Sequence, residues 1–363
     1  MEFITNIFVG ALVAYISFTN QLADRVLVLL DIDLNDTAVT EEVENTFTLP
    51  SLPSLFSAKA LPDILLRSSK YQQAAVAGTV VESTHTKDPL EAVVNIYCTF
   101  TTPTTIRTTT GTGYFIHSDG VIITNAHVAQ YLLLESTDLL GEADCIIRSG
   151  NPAAAKYRAE LLYISPAWVA KNASIIDAAI PTGTGERDYA LLYITESLTT
   201  EPLPARFPAL AFDTDLMPHN TTGKRVIATG YPATDLLAHG AGTPLTPKKA
   251  ETAISELYTF GSNYADVFAI KGTAVGAEGS SGGPVTDTEA TAIGLIATRG
   301  DDETDGVGSL RAITLSHIDR TIEEETGFSL ERNVSGDITY RSQVFKETMA
   351  PFLIELLAIE LAN

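Results

Sequence analysis

The chain has 363 residues, 45% apolar and 19% charged, enough apolar side chains for one large domain or two small ones. Asp and Glu number 45 against 23 Lys and Arg, a formal net charge of −22, which excludes the clustered basic surface that a nucleic-acid partner needs. The two cysteines, Cys98 and Cys145, fit no zinc-binding spacing, so no metal is expected; they form one disulfide in an exported protein and two buried thiols in a cytosolic one.

Residues 3–23, "FITNIFVGALVAYISFTNQLA", carry no charge and match the length of one bilayer crossing. Asn6, Ser17, Asn20 and Gln21 weaken the run, no Lys or Arg precedes it, and no small-residue cleavage site follows. We read 1–23 as an uncleaved membrane anchor with the remainder extracytoplasmic. The alternatives are a secreted chain, or an apolar helix packed on the protein's own body. Residues 24–89 read as a linker or N-terminal arm, acidic at first and then Pro- and Ser-rich ("TLPSLPSLFS"). Within it, the spacing of "PDILLRSSKYQQAAVA" predicts one helix over 62–77.

From about residue 90 the texture changes to short runs rich in Val, Ile, Tyr and Thr, separated by Gly, Pro, Asn or Asp. "AVVNIYCTF", "GTGYFIHSDGVIITNA", "DCIIRSG", "AELLYI", "DYALLYI", "RVIATGYP", "DVFAIKGTAV" and "TAIGLIATRG" follow in turn, the signature of an antiparallel all-β domain. The Thr-rich run 99–110 suits an exposed hairpin. Helices are expected at 165–179, where Ser165 offers an N-cap, and at 315–327, where Gly327 offers a stop. The tail 343–362 is amphipathic, with Pro351 kinking it or opening its second half.

"EGSSGGPV" (278–285) raises the question of a nucleophile. A serine hydroxyl needs a base, a group that orients the base, and N–H donors for an oxyanion. His127 ends a strongly apolar strand in "ITNAHVA", and Asp188 opens another in "ERDYALLYI". His85, His117 and His219 sit in polar or turn-like contexts, as does His239, while His317 sits on a helix.

"TNAHV", "DYALL" and "GSSGGP", in the order His, Asp, Ser, resemble the trypsin-like serine peptidases, and among them the bacterial HtrA/Deg branch. The resemblance covers roughly residues 90–327 and extends to the strand pair "GTGYFIHSDGVIITNAHV", the turn in "ATGYP" and the closing "LRAITLSHI". It implies a chymotrypsin-like double antiparallel β-barrel with flanking N- and C-terminal helices, and an endopeptidase acting on polypeptides through an acyl-enzyme. It implies Ser281 as nucleophile, His127 as general base and acid, Asp188 as the group orienting His127, and the Gly279 and Ser281 amides as oxyanion hole. Val275 would lie at the base of the substrate pocket, with Arg299 and Gly300 beside it, favouring small or medium aliphatic side chains. The triad and two amides suffice for this chemistry, so no cofactor is implied.

The sequence departs from the family in three places. Ser280 stands where chymotrypsin relatives carry an Asp that pairs with a newly cut N-terminus, so a preformed site is expected. His127 and Asp188 are 61 residues apart, a long interval for this branch, which the 165–179 helix would fill. Only 36 residues, 328–363, follow the domain, so a helical tail is expected there and no PDZ domain. Two other readings use the same residues. An inactive trypsin-fold binding module is one. The other is an α/β-hydrolase-type esterase, since "GSSGG" satisfies G-x-S-x-G and Asp305 and His317 could complete it, although "GGPVTDTEATAIGLI" reads as strand rather than the helix that fold needs.

Overall fold

A computed structural model describes residues 61–361 apart from 103–105, 136, 138–140, 179–184 and 240–242. The segment 3–23 lies outside the described residues. Among the described residues, no helix is long and apolar enough to cross a membrane.

Six of the β-rich runs form a closed antiparallel barrel: β1 (Val93–Thr101), β2 (Ile106–His117), β3 (Val121–Thr124), β4 (Glu142–Ser149), β5 (Ala154–Ile164) and β6 (Ala190–Ser197), in the order β1-β2-β3-β6-β5-β4. Pairing of β1 with β4 closes the ring and leaves no exposed edge. In that register Cys98 faces Cys145, and the two form a disulfide with Cα atoms 4.0 Å apart. The Thr-rich run is the β1–β2 hairpin, with Thr101 paired to Ile106.

The second barrel contains β8 (Arg225–Gly230), β9 (Lys248–Tyr258), β10 (Val267–Ile270), β11 (Pro284–Thr286), β12 (Thr291–Arg299) and β13 (Leu310–Thr314). The order β11-β8-β9-β10-β13-β12 is closed by β11–β12 pairing, and the two-residue β7 (Ala211–Phe212) runs parallel to β12 outside the ring. Val226, Ile254, Phe268, Ile270, Val285 and Ile296 fill its core. At about 1.5–3 kcal/mol per fully buried large side chain, these contacts fix the strand register.

Helices at both ends of the chain join the larger core, that of the first barrel. The helix expected over 62–77 is two helices, α1 (Leu61–Arg67) and α2 (Ser69–Val76). Ser68 takes extended backbone angles, and its Oγ accepts from Tyr71 N–H at 3.2 Å, so a side-chain cap overrides the continuous apolar spacing. Leu65, Tyr71 and Ala74 are buried in that core, so residues 61–76 fold with the domain, packed on its helices. The one-turn α3 (Ala126–Ala129) carries His127, and α4 (Pro166–Asn172) starts from a Ser165 cap. The helix α5 (Leu315–Thr326) ends where Gly327 turns left-handed at φ +82°. The tail is likewise two helices, α6 (Ile338–Thr348) and α7 (Ala350–Leu361), with Pro351 in the first turn of the second.

Candidate active site

Strand pairing brings His127 and Asp188 together. β3 and β6 are antiparallel neighbours with Thr124 opposite Ala190, so the residues just after β3 meet those just before β6. His127 Nδ1 lies 2.8 Å from Asp188 Oδ2, and the His127 backbone N–H donates to Oδ1 at 3.0 Å. Asn125 Nδ2 donates to the Asp188 carbonyl at 2.8 Å. Asp188 is fully buried and His127 nearly so. With Nδ1–H committed to the carboxylate, Nε2 keeps its lone pair and can take a proton.

Ser281 comes from the loop before β11, and first-barrel residues hold that loop. Thr112 N–H donates to the Ser281 carbonyl at 2.8 Å, and Thr112 Oγ1 donates to the Gly279 carbonyl at 2.6 Å. Gly282 sits at φ +88°, and a Cβ there would fall 1.9 Å from Thr112 O and 2.4 Å from Thr124 Oγ1. The Ser281 loop therefore abuts the strand end that leads into His127.

The peptide planes of the loop are also tied. Glu278 O accepts from Ala233 N–H at 2.7 Å, which in a trans peptide points the Gly279 N–H the opposite way. Ser280 O accepts from Gly283 N–H at 3.0 Å, with the same consequence for the Ser281 N–H. Neither amide meets an acceptor among the described residues. Ser280 sends its hydroxyl inward to Val275 O. Ser281 is half-exposed, and its Oγ donates to Ala297 O at 3.4 Å rather than to the His127 ring.

The family profile described as "Trypsin-like peptidase domain" matches residues 111–295, which contain His127, Asp188 and Ser281. The chain belongs to the trypsin-like peptidase family. Among solved structures, the peptidase is similar to that titled "Crystal structure of Deg5", at 17% identity, 64% of this chain, 87% of the other and a TM-score of 0.41. It is also similar to the active form of the Rv3671c protease from M. tuberculosis, at 18% identity, 83% of this chain, 100% of the other and a TM-score of 0.39. No curated protein matches the sequence.

The other residues singled out in the sequence lie as follows. Val275 is fully buried in the second-barrel core. Arg299 is exposed at the end of β12, its guanidinium 2.8 Å from Asp302, and Gly300 N–H donates to Ser309 O. His317 pairs with Asp266 at 3.0 Å on α5, and Ser281 is followed by strand β11, so the α/β-hydrolase reading is excluded by the fold. Among the described residues, no group of three or more His, Cys, Asp or Glu side chains is placed to hold a metal ion. Sequence reasoning missed Thr112, which ties the two barrels together at the site, and Thr124 and Asn125, which bond to Thr112 O and Asp188 O within the first barrel. The available signal was faint: a hydroxyl at 112 flanked by glycines in a strand turning apolar.

Proposed function

We propose that the peptidase is a serine endopeptidase acting through an acyl-enzyme. Ser281 Oγ attacks the scissile carbonyl while His127 Nε2 takes its proton. Asp188 holds the ring tautomer and stabilises the imidazolium. The Gly279 and Ser281 amides receive the developing oxyanion, and His127 then hands its proton to the departing amine. Water enters by the same route in reverse and frees the serine. The observation that carries this reading is the double contact of Asp188 with His127, ring and backbone, in a buried setting.

An extended substrate would add as a strand beside residues 297–299. On that edge of β12 the β11 ladder ends at Leu295, Ile296 exchanges hydrogen bonds with Gly282 and Gly283, and no strand pairs residues 297–299 there among the described residues. Val275, Arg299 and Gly300 would form the far end of the first side-chain pocket, favouring small or medium aliphatic groups. The Cys98–Cys145 disulfide supports an oxidising, extracytoplasmic compartment.

One observation favours the inactive binding module: Ser281 Oγ bonds to Ala297 O instead of His127. A fluorophosphonate probe separates the two. Labelling of the wild type that disappears in Ser281→Ala, with peptide turnover falling about 10⁶-fold if the triad acts as a unit, supports the peptidase. A folded wild-type protein that takes no probe supports the binding module.

A further inference from the structure

Asp188 is held by its neighbours in the chain as well as by His127. Arg187, immediately before it, is a non-glycine residue at φ +56°. Its Nη1 donates to Glu325 Oε1 at 2.8 Å and to Thr321 O at 3.2 Å, and its Nη2 reaches Glu324. Tyr189, immediately after, places its hydroxyl 2.9 Å from Thr321 Oγ1. Thr321 Oγ1 donates its own proton to His317 O at 2.8 Å, so Tyr189 is the donor in that contact. Both flanks of Asp188 are thus fastened to one stretch of α5, a helix that follows the second barrel.

Glu325 is the centre of this anchorage. It is fully buried, and its carboxylate accepts from Tyr163 OH, from Ser165 Oγ at 3.0 Å and from Arg187. Burial raises its carboxyl above the ordinary range, and Arg187 is the strongest influence in the other direction. A buried ion pair contributes little net stability compared with well-packed apolar residues, so its contribution here is better sought in geometry. Left-handed backbone at Arg187 is unfavourable for a side chain of that kind and is held by the grip on α5.

We propose that Arg187, gripped by Glu325 of α5, is a positioning residue that sets the Asp188 carboxylate on His127. It touches neither substrate nor reacting atoms; it acts through Asp188. The consequence is that α5 controls the orientation of the catalytic base across the two barrels. This inference rests on the serine-peptidase reading for its effect on rate, and on the structure for its effect on His127.

The test compares the full chain with Arg187→Lys and with the double variant Arg187→Met/Glu325→Gln, which removes both charges and leaves no unpaired buried ion. Fluorophosphonate labelling rates are followed from about pH 5 to about pH 9, and proton NMR follows the low-field His127 Nδ1–H resonance. A folded double variant is expected to label about 10- to 100-fold more slowly at its plateau. Its acid limb moves to lower pH, because the imidazolium loses support, and the low-field resonance is lost. Arg187→Lys keeps a charge on Glu325 but not the fork, so it recovers part of the rate. It also reads the effect if the double variant fails to fold. Wild-type plateau, acid limb and resonance in a folded variant overturn the proposal. If the wild type takes no probe, the peptidase reading falls, and the resonance alone decides: loss in the variants supports the positioning role, and retention overturns it.

Discussion

Thr112 Oγ1 donates to Gly279 O at 2.6 Å and accepts from Tyr231 N–H at 2.9 Å, so one hydroxyl in the first barrel fixes two backbone segments of the second. Thr112→Val keeps shape and β-branching but leaves a buried carbonyl and a buried amide unpaired, at about 1–3 kcal/mol each. The Gly279 peptide then loses one of its two tethers. Probe labelling should fall about 10²-fold, the scale of a lost oxyanion donor. Thr112→Ser should stay close to wild type. Equal losses in the Ser and Val variants would remove the hydroxyl from the explanation.

The sequence made the barrels and the pairing of His127 with Asp188 legible for one reason: each rests on a local pattern. Short β-branched runs report strands, and His127 and Asp188 stand at the ends of two such runs that later prove adjacent. Thr112 and Gly279 are 167 residues apart, and Arg187 and Glu325 138 apart, so their roles exist only once the barrels have docked. The Ser68 break was hidden because apolar spacing continues through it, while the cap that breaks it depends on a single hydroxyl.

Gly282 is required by sterics rather than by flexibility. At φ +88°, an added Cβ would lie 1.9 Å from a backbone oxygen that cannot swing aside. Gly282→Ala should therefore separate the Ser281 loop from β2 and abolish probe labelling, with a loss of stability well above the roughly 1 kcal/mol of backbone strain alone. Gly223, at φ +86° with nothing within 4 Å of its added Cβ, is the matched control. Gly223→Ala should cost only the strain and leave labelling intact, as urea titration and probe kinetics on the two variants would show.

Cys98 and Cys145 close a loop of 47 residues between neighbouring strands of the first barrel. On the chain-entropy account, such a crosslink stabilises by up to about 4 kcal/mol, acting through the unfolded chain. The double variant Cys98→Ala/Cys145→Ala should lower the unfolding free energy read from urea titration by about 2–4 kcal/mol. Its labelling rate under native conditions should be unchanged, because His127 hangs from β3 and β6 rather than from β1 and β4. A slower rate in a fully folded variant would place the crosslink in the site's geometry.

Glu135 gives the fold a pH dependence of definite sign. Partial desolvation of a side chain that keeps 26% of its surface in water pushes its carboxyl from 4.5 up to about 7, against the Cys145 N–H and Arg158, which pull the other way. Oε1 accepts that amide at 2.6 Å and stands 3.8 Å from the guanidinium. The folded state therefore binds this proton more tightly than the unfolded chain does. Its stabilisation is fully present below pH 4.5 and is lost as pH rises through about 7. Glu135→Gln mimics the protonated form and removes that dependence. In urea titrations at about pH 5 and about pH 8, the variant should match or trail the wild type at the lower pH and exceed it at the higher. Other titrating groups, the histidines included, are common to both proteins and cancel in the difference. A difference between the two proteins that stays constant across that interval would mean that the Glu135 carboxyl titrates alike in the folded and unfolded chain.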